Sequence, residues 1–506
     1  MSNNGVELRD LVPARLRREW VARGHCPDRD LFTLFTGRER AHPDRAAVMA
    51  PGGTLTYAQL GAAARRLAAR LAECGLGPRD VVGVQLAAGA EAVVADLAVA
   101  AVGSVALPIP AGRGHKDTLT LLRRSRAAAL VTWTAPQAHL PDLRVVLSPA
   151  DGTDPAGWTP PAVDAEAPAR ILVTSGSETE PKMIAYSHNA MAGGRGNYVR
   201  ALYRGPEVLR GLVLVPLSSS YGSLGLVSIV RHGATVQVLD RFDPDVALRA
   251  LTEWRPTHLF AVPTMLRRMV NRPRPNGEDL SGLRVVVSSS SLLTPAAVAE
   301  CVARFGRPVV NVYGSADGVN CHTGRRRQGV GLPDPAVAEI RLTEEGEICA
   351  RGPMTPLCYV NAPELDARYR DAEGWVRSGD RGRLAADGCL HLVDRLKQVV
   401  IRGGRNISPA EVELELSTHP AVGDVACVAV ADDDLGERLC ACVIPRPGVP
   451  APTLAELTAF LEHDRGLERG KLPELLVVLP EFPLGATGKL CRHTLTRLAA
   501  ERVPST

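Results

Sequence analysis

The sequence predicts a layered α/β protein. A large N-terminal domain of α/β subdomains, with a small antiparallel barrel-like part, precedes a smaller α+β C-terminal domain. Three observations lead there. Apolar strand-like runs alternate with helical periodicity over most of the chain. Cap and turn residues punctuate those runs where elements should begin and end. Beyond about residue 340 the texture changes to short alternating strands, and a compact α+β unit follows from Ser408. A chain of 506 residues exceeds what one core organises, so at least two domains are expected.

Residues 9–25 read as an amphipathic helix, with Leu11, Leu16 and Trp20 set among arginines. Residues 46–57 read as a hairpin turning on Pro51, Gly52 and Gly53, and a helix over 58–74 ends near Gly75. Strands are expected at 81–86, 104–109, 170–174, 211–217, 258–262, 283–288 and 308–313. Thr294 and Pro295 start a helix that Gly306 ends. This alternation implies mostly parallel sheets with functional loops at the C-terminal ends of their strands. Further on, Glu344–Ala350 and Gly388–Asp394 read as antiparallel strands. Helices follow over 408–418 and 453–464, with strands near 423–430, 437–444 and 474–479. The charged joint Asp394-Arg395-Leu396-Lys397 divides the chain into residues 1–394 and 395–506.

A net charge of +4 gives no reason to expect nucleic acid or an anionic membrane as partner. The apolar region 81–110 is interrupted by Glu91 and Asp96, and the N-terminus lacks a signal segment, so a cytoplasmic protein is expected. The 11 cysteines are scattered, with no Cys-x-x-Cys pair. Cys440 and Cys442 are expected on opposite faces of a strand, and reduced thiols are the expectation throughout.

The segment Leu172–Met183 carries the strongest chemical signal. An apolar strand enters a loop of Thr174, Ser175, Gly176, Ser177 and Thr179, closed by Pro181 and Lys182. Small hydroxyl residues around glycine let N–H and O–H groups converge on a polyanion, and lysine adds a point charge. A second such loop, Pro483–Lys489, lies near the other end of the chain. Only five lysines occur among 59 lysine and arginine residues, and Lys182, Lys397 and Lys489 all fall in motifs. The string Gly485-x-x-Gly-Lys-Leu does not have Walker spacing, and no Gly-x-Ser-x-Gly elbow offers a hydrolase nucleophile.

These strings, together with Leu55–Leu60, Asn311-Val-Tyr-Gly314, Gly346-Glu-Ile348, Ser378-Gly-Asp380, Asp394-Arg395, Gly403–Glu413 and Gly488-Lys489, resemble the adenylate-forming enzymes over nearly the whole chain. That family comprises acyl- and aryl-CoA ligases, peptide-synthetase adenylation domains and luciferases. The resemblance implies ATP and Mg²⁺ as cofactors and an acyl-adenylate formed with release of pyrophosphate. Transfer to coenzyme A or a carrier-protein pantetheine follows, with a mobile C-terminal domain. It implies that Thr174, Ser175, Gly176, Ser177, Thr179 and Lys182 grip the phosphates, and that Asn311, Tyr313 and Gly314 hold adenine. Asp380 and Arg395 then reach the ribose, Asp317 binds magnesium and Lys397 is the hinge. Gly403 and Gly404 admit pantetheine, and Lys489 bridges carboxylate and α-phosphate during adenylation.

The acid pocket is the most individual part. Family members often have Pro-Leu-Phe-His before a glycine; here the string is Pro216-Leu-Ser-Ser-Ser-Tyr-Gly222, with Ser219 in place of the histidine and Ser218 and Tyr221 beside it, and Ser289 and Ser290 lie in a serine run. Hydroxyls in a cleft want partners, which implies a polar or aromatic acid rather than a long fatty acid. Two alternatives stay open: an amide synthetase or an enzyme activating an inorganic acid such as nitrite for transfer to an amine, and a degenerate nucleotide-binding homologue. A small acid is the expected partner, and a carrier protein is a further one.

Overall fold

The computed structural model describes residues 4–136, 138–174, 181–203, 207–275, 278–289, 293, 295–322, 329–395, 400–402, 405–432, 435–485 and 489–502. Two large sheets dominate. One runs in the order Asn320–His322, Val309–Gly314, Val285–Ser289, His258–Ala261, Arg210–Val213, Thr235–Val238, Ala46–Ala50, Gly53–Thr56. Its central strands are parallel and both edges are antiparallel hairpins. The other runs Cys358–Tyr359, Met183–Ser187, Pro168–Val173, Val105–Pro108, Val81–Gln85, Ala129–Thr132, Val145–Leu147.

The helices Tyr57–Glu73 and Ala90–Ala101 pack against each other in a core shared by both sheets. Alanine at positions 64, 68, 95 and 98 keeps that core tight. Thr56 caps the first helix through a capping box with Gln59, which is why it starts one residue after the strand. The N-terminal helix is shorter than its periodicity suggests, Ala14–Ala22, because Pro13 opens it and Gly24 adopts a positive φ of 69° just past its end.

A four-stranded antiparallel sheet, Glu339–Leu342, Glu347–Arg351, Val376–Leu384, Leu390–Arg395, supplies the expected barrel-like part. Beyond it a long hairpin, Val422–Asp432 with Gly436–Pro445, organises two small cores. One holds Val412, Leu416, Leu457 and Leu461 against Cys427, Leu439 and Ala441. The other holds Leu495 and Ala499 against Val428, Cys440 and Cys442. Cys440 and Cys442 thus share a face, contrary to expectation: side chains alternate with period two, so a spacing of two returns to the same side. All eleven cysteines are free thiols. No helix among the described residues is long and apolar enough to cross a membrane.

The C-terminal unit touches the larger sheet system through the helix Pro263–Val270. Arg267 pairs with Asp424, and Arg268 Nη2 lies 3.0 Å from Glu481 Oε2. That helix follows the C-terminal end of the strand His258–Ala261, on the side where the motif loops gather.

A buried charge pair lies in the large domain. Arg170 and Asp96 are both almost wholly buried, with Nη1 and Oδ1 2.7 Å apart but off-line for a hydrogen bond. Arg170 Nη2 also donates to Leu217 O at 3.0 Å, fixing the start of the serine-rich loop. Removing one partner strands the other charge in a low-dielectric interior. Asp96→Ala is expected to cost about 3–5 kcal/mol, read as a lowered denaturant midpoint; an unchanged midpoint would contradict the pairing.

His232 Nε2 lies 2.8 Å from Gly196 O, which assigns the proton to Nε2. Burial pushes this imidazole down to about 4, and nearby Arg231, Arg38 and Arg200 add to the shift. Between that value and the ordinary histidine range, the unfolded chain binds a proton that the folded one does not. Its stabilisation is therefore complete above about pH 6.5 and is lost as pH falls toward 4. His232→Gln is expected to flatten this acid limb by up to about 3 kcal/mol in urea titrations across that window; an unaltered pH slope would contradict it.

Candidate functional site

The phosphate-loop candidate is the connection of an antiparallel hairpin, between Pro168–Val173 and Met183–Ser187. Thr174 and Lys182 close its base: Thr174 N–H donates to Lys182 O at 3.0 Å, and Lys182 N–H donates to Thr174 Oγ1 at 3.1 Å. Ser175, Gly176, Ser177 and Thr179, between them, lie outside the described residues.

A second hairpin faces it. The strands Val309–Gly314 and Asn320–His322 meet through the turn holding Asp317. A Cβ at Gly314 would sit 2.1 Å from Asn320 Oδ1, so a larger residue there would displace the Asn320 side chain. Gly318 takes a φ of 95°, reserved for glycine, which lets Ser315 N–H close onto Val319 O at 2.9 Å.

Tyrosines bind the two hairpins together. Tyr186 Oη donates to Ala316 O at 2.6 Å, and Tyr359 Oη donates to Asp317 Oδ1. Lys182 Nζ lies 3.8 Å from the ring centroid of Tyr369 and 5.7 Å from that of Tyr359, both cation–π distances. Burial pushes the Asp317 carboxyl up, while the Tyr359 hydroxyl and the Lys182 charge pull it back. One buried carboxylate fits a magnesium ion shared with phosphate oxygens better than an all-protein cage. Among the described residues no group of three or more His, Cys, Asp or Glu could hold a metal.

Of the adenosine candidates, the structure brings the Tyr313 and Asp380 side chains together. Asn311 and Tyr313 lie two apart on one strand, with Asn311 opposite Ser288 in register. Tyr313 Oη donates to Asp380 Oδ2 at 2.7 Å, and burial beside that carboxylate holds the phenol well above its ordinary range, so it remains a donor. Asp380 follows Gly379, whose φ of 75° falls at a bulge inside the strand Val376–Leu384, where the register against Glu347–Arg351 shifts; Glu347 Oε1 accepts the Gly379 N–H at 3.0 Å. Arg395 is the cross-strand partner of Asp380 in the backbone register; its side chain lies outside the described residues.

In the acid-pocket loop the hydroxyls divide. Ser219 Oγ donates to Pro216 O at 2.8 Å and accepts the Gly222 N–H at 2.9 Å, so this serine is consumed by its own turn. Tyr221 Oη donates to Val287 O at 2.9 Å, and its ring lies edge-on to Phe260. Ser218 is half-buried and Ser289 buried at the C-terminal end of its strand. Ser290, Lys397, Gly403 and Gly404 lie outside the described residues. Lys489 is half-buried at the base of a turn, where its carbonyl accepts the Gly485 N–H at 2.7 Å.

Sequence reasoning missed Tyr186, Tyr359, Tyr369 and Arg195. The tyrosines carry no local motif. Arg195 had one signal, a lone cation in the small-residue run Ala190–Gly196.

Comparison with known proteins gives the family and the fold. The AMP-binding enzyme family model matches residues 35–360, and the AMP-binding enzyme C-terminal domain matches residues 411–489. The chain is 31% identical to triostin synthetase I of Streptomyces triostinicus, covering 96% of this chain and 98% of that protein. It is 29% identical to the medium-chain fatty-acid–CoA ligase of Escherichia coli, covering 95% and 92%. The amide bond synthetase McbA from Marinactinospora thermotolerans superposes with a TM-score of 0.81 at 29% identity, over 92% of this chain and 99% of that one.

Tyr313→Phe keeps the ring but removes the hydroxyl that donates to the Asp380 carboxylate. The Kd for ATP is expected to rise about tenfold by calorimetry; an unchanged Kd would separate the tyrosine–aspartate contact from nucleotide binding.

Proposed function

The chain belongs to the AMP-binding enzyme family and is an AMP-forming ligase that uses ATP and Mg²⁺; from that premise we propose that it activates a polar or aromatic acid and passes it to a thiol. The carrying observation is the joining of two clusters at one hairpin. Tyr313, on the strand Val309–Gly314, donates to Asp380 of the antiparallel sheet, and Asp317 with Tyr359 and Lys182 stands at the turn that follows that strand. The first suits a nucleoside and the second its phosphates.

In the first half-reaction a carboxylate oxygen of the acid attacks the α-phosphorus of ATP. The bond from that phosphorus to the bridging oxygen breaks, and pyrophosphate leaves. Lys182 supplies charge to the phosphates from its aromatic seat, and Asp317 offers one hard oxygen to magnesium, which neutralises phosphate charge when bound. Thr174, Ser175, Gly176, Ser177 and Thr179 cradle the polyphosphate. Asn311, Tyr313 and Gly314 hold adenine, and Asp380 with Arg395 holds ribose. In the second half-reaction a thiol sulfur attacks the acyl carbon, and AMP departs with the bridging oxygen.

The division at residues 394 and 395, with torsion at Lys397, lets the C-terminal domain present two faces in turn. Lys489 serves adenylation, and Gly403 and Gly404 serve pantetheine, on coenzyme A or a carrier protein. Ser218, Ser219, Tyr221, Ser289 and Ser290 line the acid pocket. Free thiols at every cysteine fit a cytoplasmic enzyme. A second reading, transfer to an amine, draws on the likeness to the amide bond synthetase.

The test is AMP release across a panel of acids, nitrite included, with and without coenzyme A. Aryl acids with a coenzyme A requirement are expected, and a preference for lauric acid would defeat the pocket reading. Lys489→Ala is expected to slow adenylation by on the order of 10²–10³ while thiolysis of preformed adenylate survives. Equal loss in both half-reactions would refute the role given to Lys489.

A further inference from the structure

Behind the acid-pocket loop lies a charge that the mechanism above does not use. Arg195 ends the π-helical turn Ala190–Arg195 and is 2% exposed. Among the described residues it pairs with no carboxylate; its Nε and Nη1 have no hydrogen-bond partner. Its Nη2 turns to the loop instead, donating to Ser220 O, to Ser220 Oγ at 3.1 Å and to Ser223 Oγ at 3.1 Å. On its other side the guanidinium lies 5.5 Å from the ring centroid of Tyr186, the tyrosine that holds Ala316. A buried cation with no counter-ion is costly, and such groups persist where a function retains them.

The loop's hydroxyl protons can be traced. Ser219 donates to Pro216 O, and Ser223 donates to Ser220 O at 2.7 Å. Ser220 Oγ accepts from Arg195 and donates to none of the described residues, and Ser220 is half-buried. A hydroxyl whose lone pair is taken by a guanidinium becomes a stronger donor, and its own proton must point elsewhere.

We propose that Arg195 and Ser220 form a donor relay in the wall of the acid pocket, reading an acceptor oxygen that the acid carries in addition to its reacting carboxylate. Ser220 touches the substrate; Arg195 positions and polarises it. This rests on the acid-activation reading and narrows its substrate class to oxygen-bearing aromatic acids. A site built around such a donor rejects the analogue lacking the oxygen, because the buried polar group is then left unmatched.

The experiment is ATP–pyrophosphate exchange with benzoate and the ortho, meta and para hydroxybenzoates. At least one hydroxybenzoate should exceed benzoate in kcat/KM by about 10- to 100-fold. Ser220→Ala, a small change at a half-buried position, should collapse that ratio toward one. Arg195→Met should do the same, and Arg195→Lys should restore part of it. Benzoate matching every hydroxybenzoate, or a ratio that survives Ser220→Ala, overturns the relay. A panel in which no acid supports exchange while ATP still binds overturns acid activation itself, and the relay with it.

Discussion

The hydroxyls of Tyr186 and Tyr359 are the constraint on which the rest of the site depends. Each comes from the sheet bearing the phosphate-loop candidate, and each holds the hairpin turn of the other sheet, at Ala316 and Asp317. Lys182 and Asp317 sit on separate sheets, and these two hydroxyls are direct ties between those sheets beside them. With them, the Lys182 cation and the Asp317 carboxylate, both proposed to act on the phosphates, are held in one frame. Both phenols are pushed well above their ordinary range by burial, so they remain donors across the physiological range.

The same economy extends toward the nucleoside and the acid. Tyr313 joins the turn-bearing strand to Asp380 in the antiparallel sheet, while Glu347 secures the Gly379 backbone beneath it. Arg170 reaches from the phosphate-loop hairpin to Leu217, and Arg195 from the following helical turn to Ser220. Buried cations thus tie the acid-pocket loop to the phosphate hairpin.

Much of this was legible in the sequence, and what was not has a physical cause. Elements bounded by strong punctuation were found: the helix between Pro295 and Gly306, and the hairpin on Gly52 and Gly53. The strands Met183–Ser187 and Thr235–Val238 went unread; each is short and buried throughout, without alternation, but so are Val105–Pro108 and His258–Ala261, which were read, so burial alone does not decide what is legible. Residues set by backbone chemistry, such as Gly379 and Gly314, sat inside readable strings. Contacts such as Tyr186 with Ala316, 130 positions apart, leave no local trace. The serine run misled in part: composition shows hydroxyls but not their acceptors, and Ser219 is consumed by its own turn while Ser220 faces a buried cation.

The central claim is that a carboxylate of the substrate is joined to the α-phosphorus of ATP. The most direct measurement follows heavy oxygen from a carboxylate-labelled aryl acid through turnover with ATP and coenzyme A, read by mass spectrometry of the products. One labelled oxygen in AMP, with unlabelled pyrophosphate, is the predicted result. Label in orthophosphate with ADP as the nucleotide product, or AMP free of label, would contradict it.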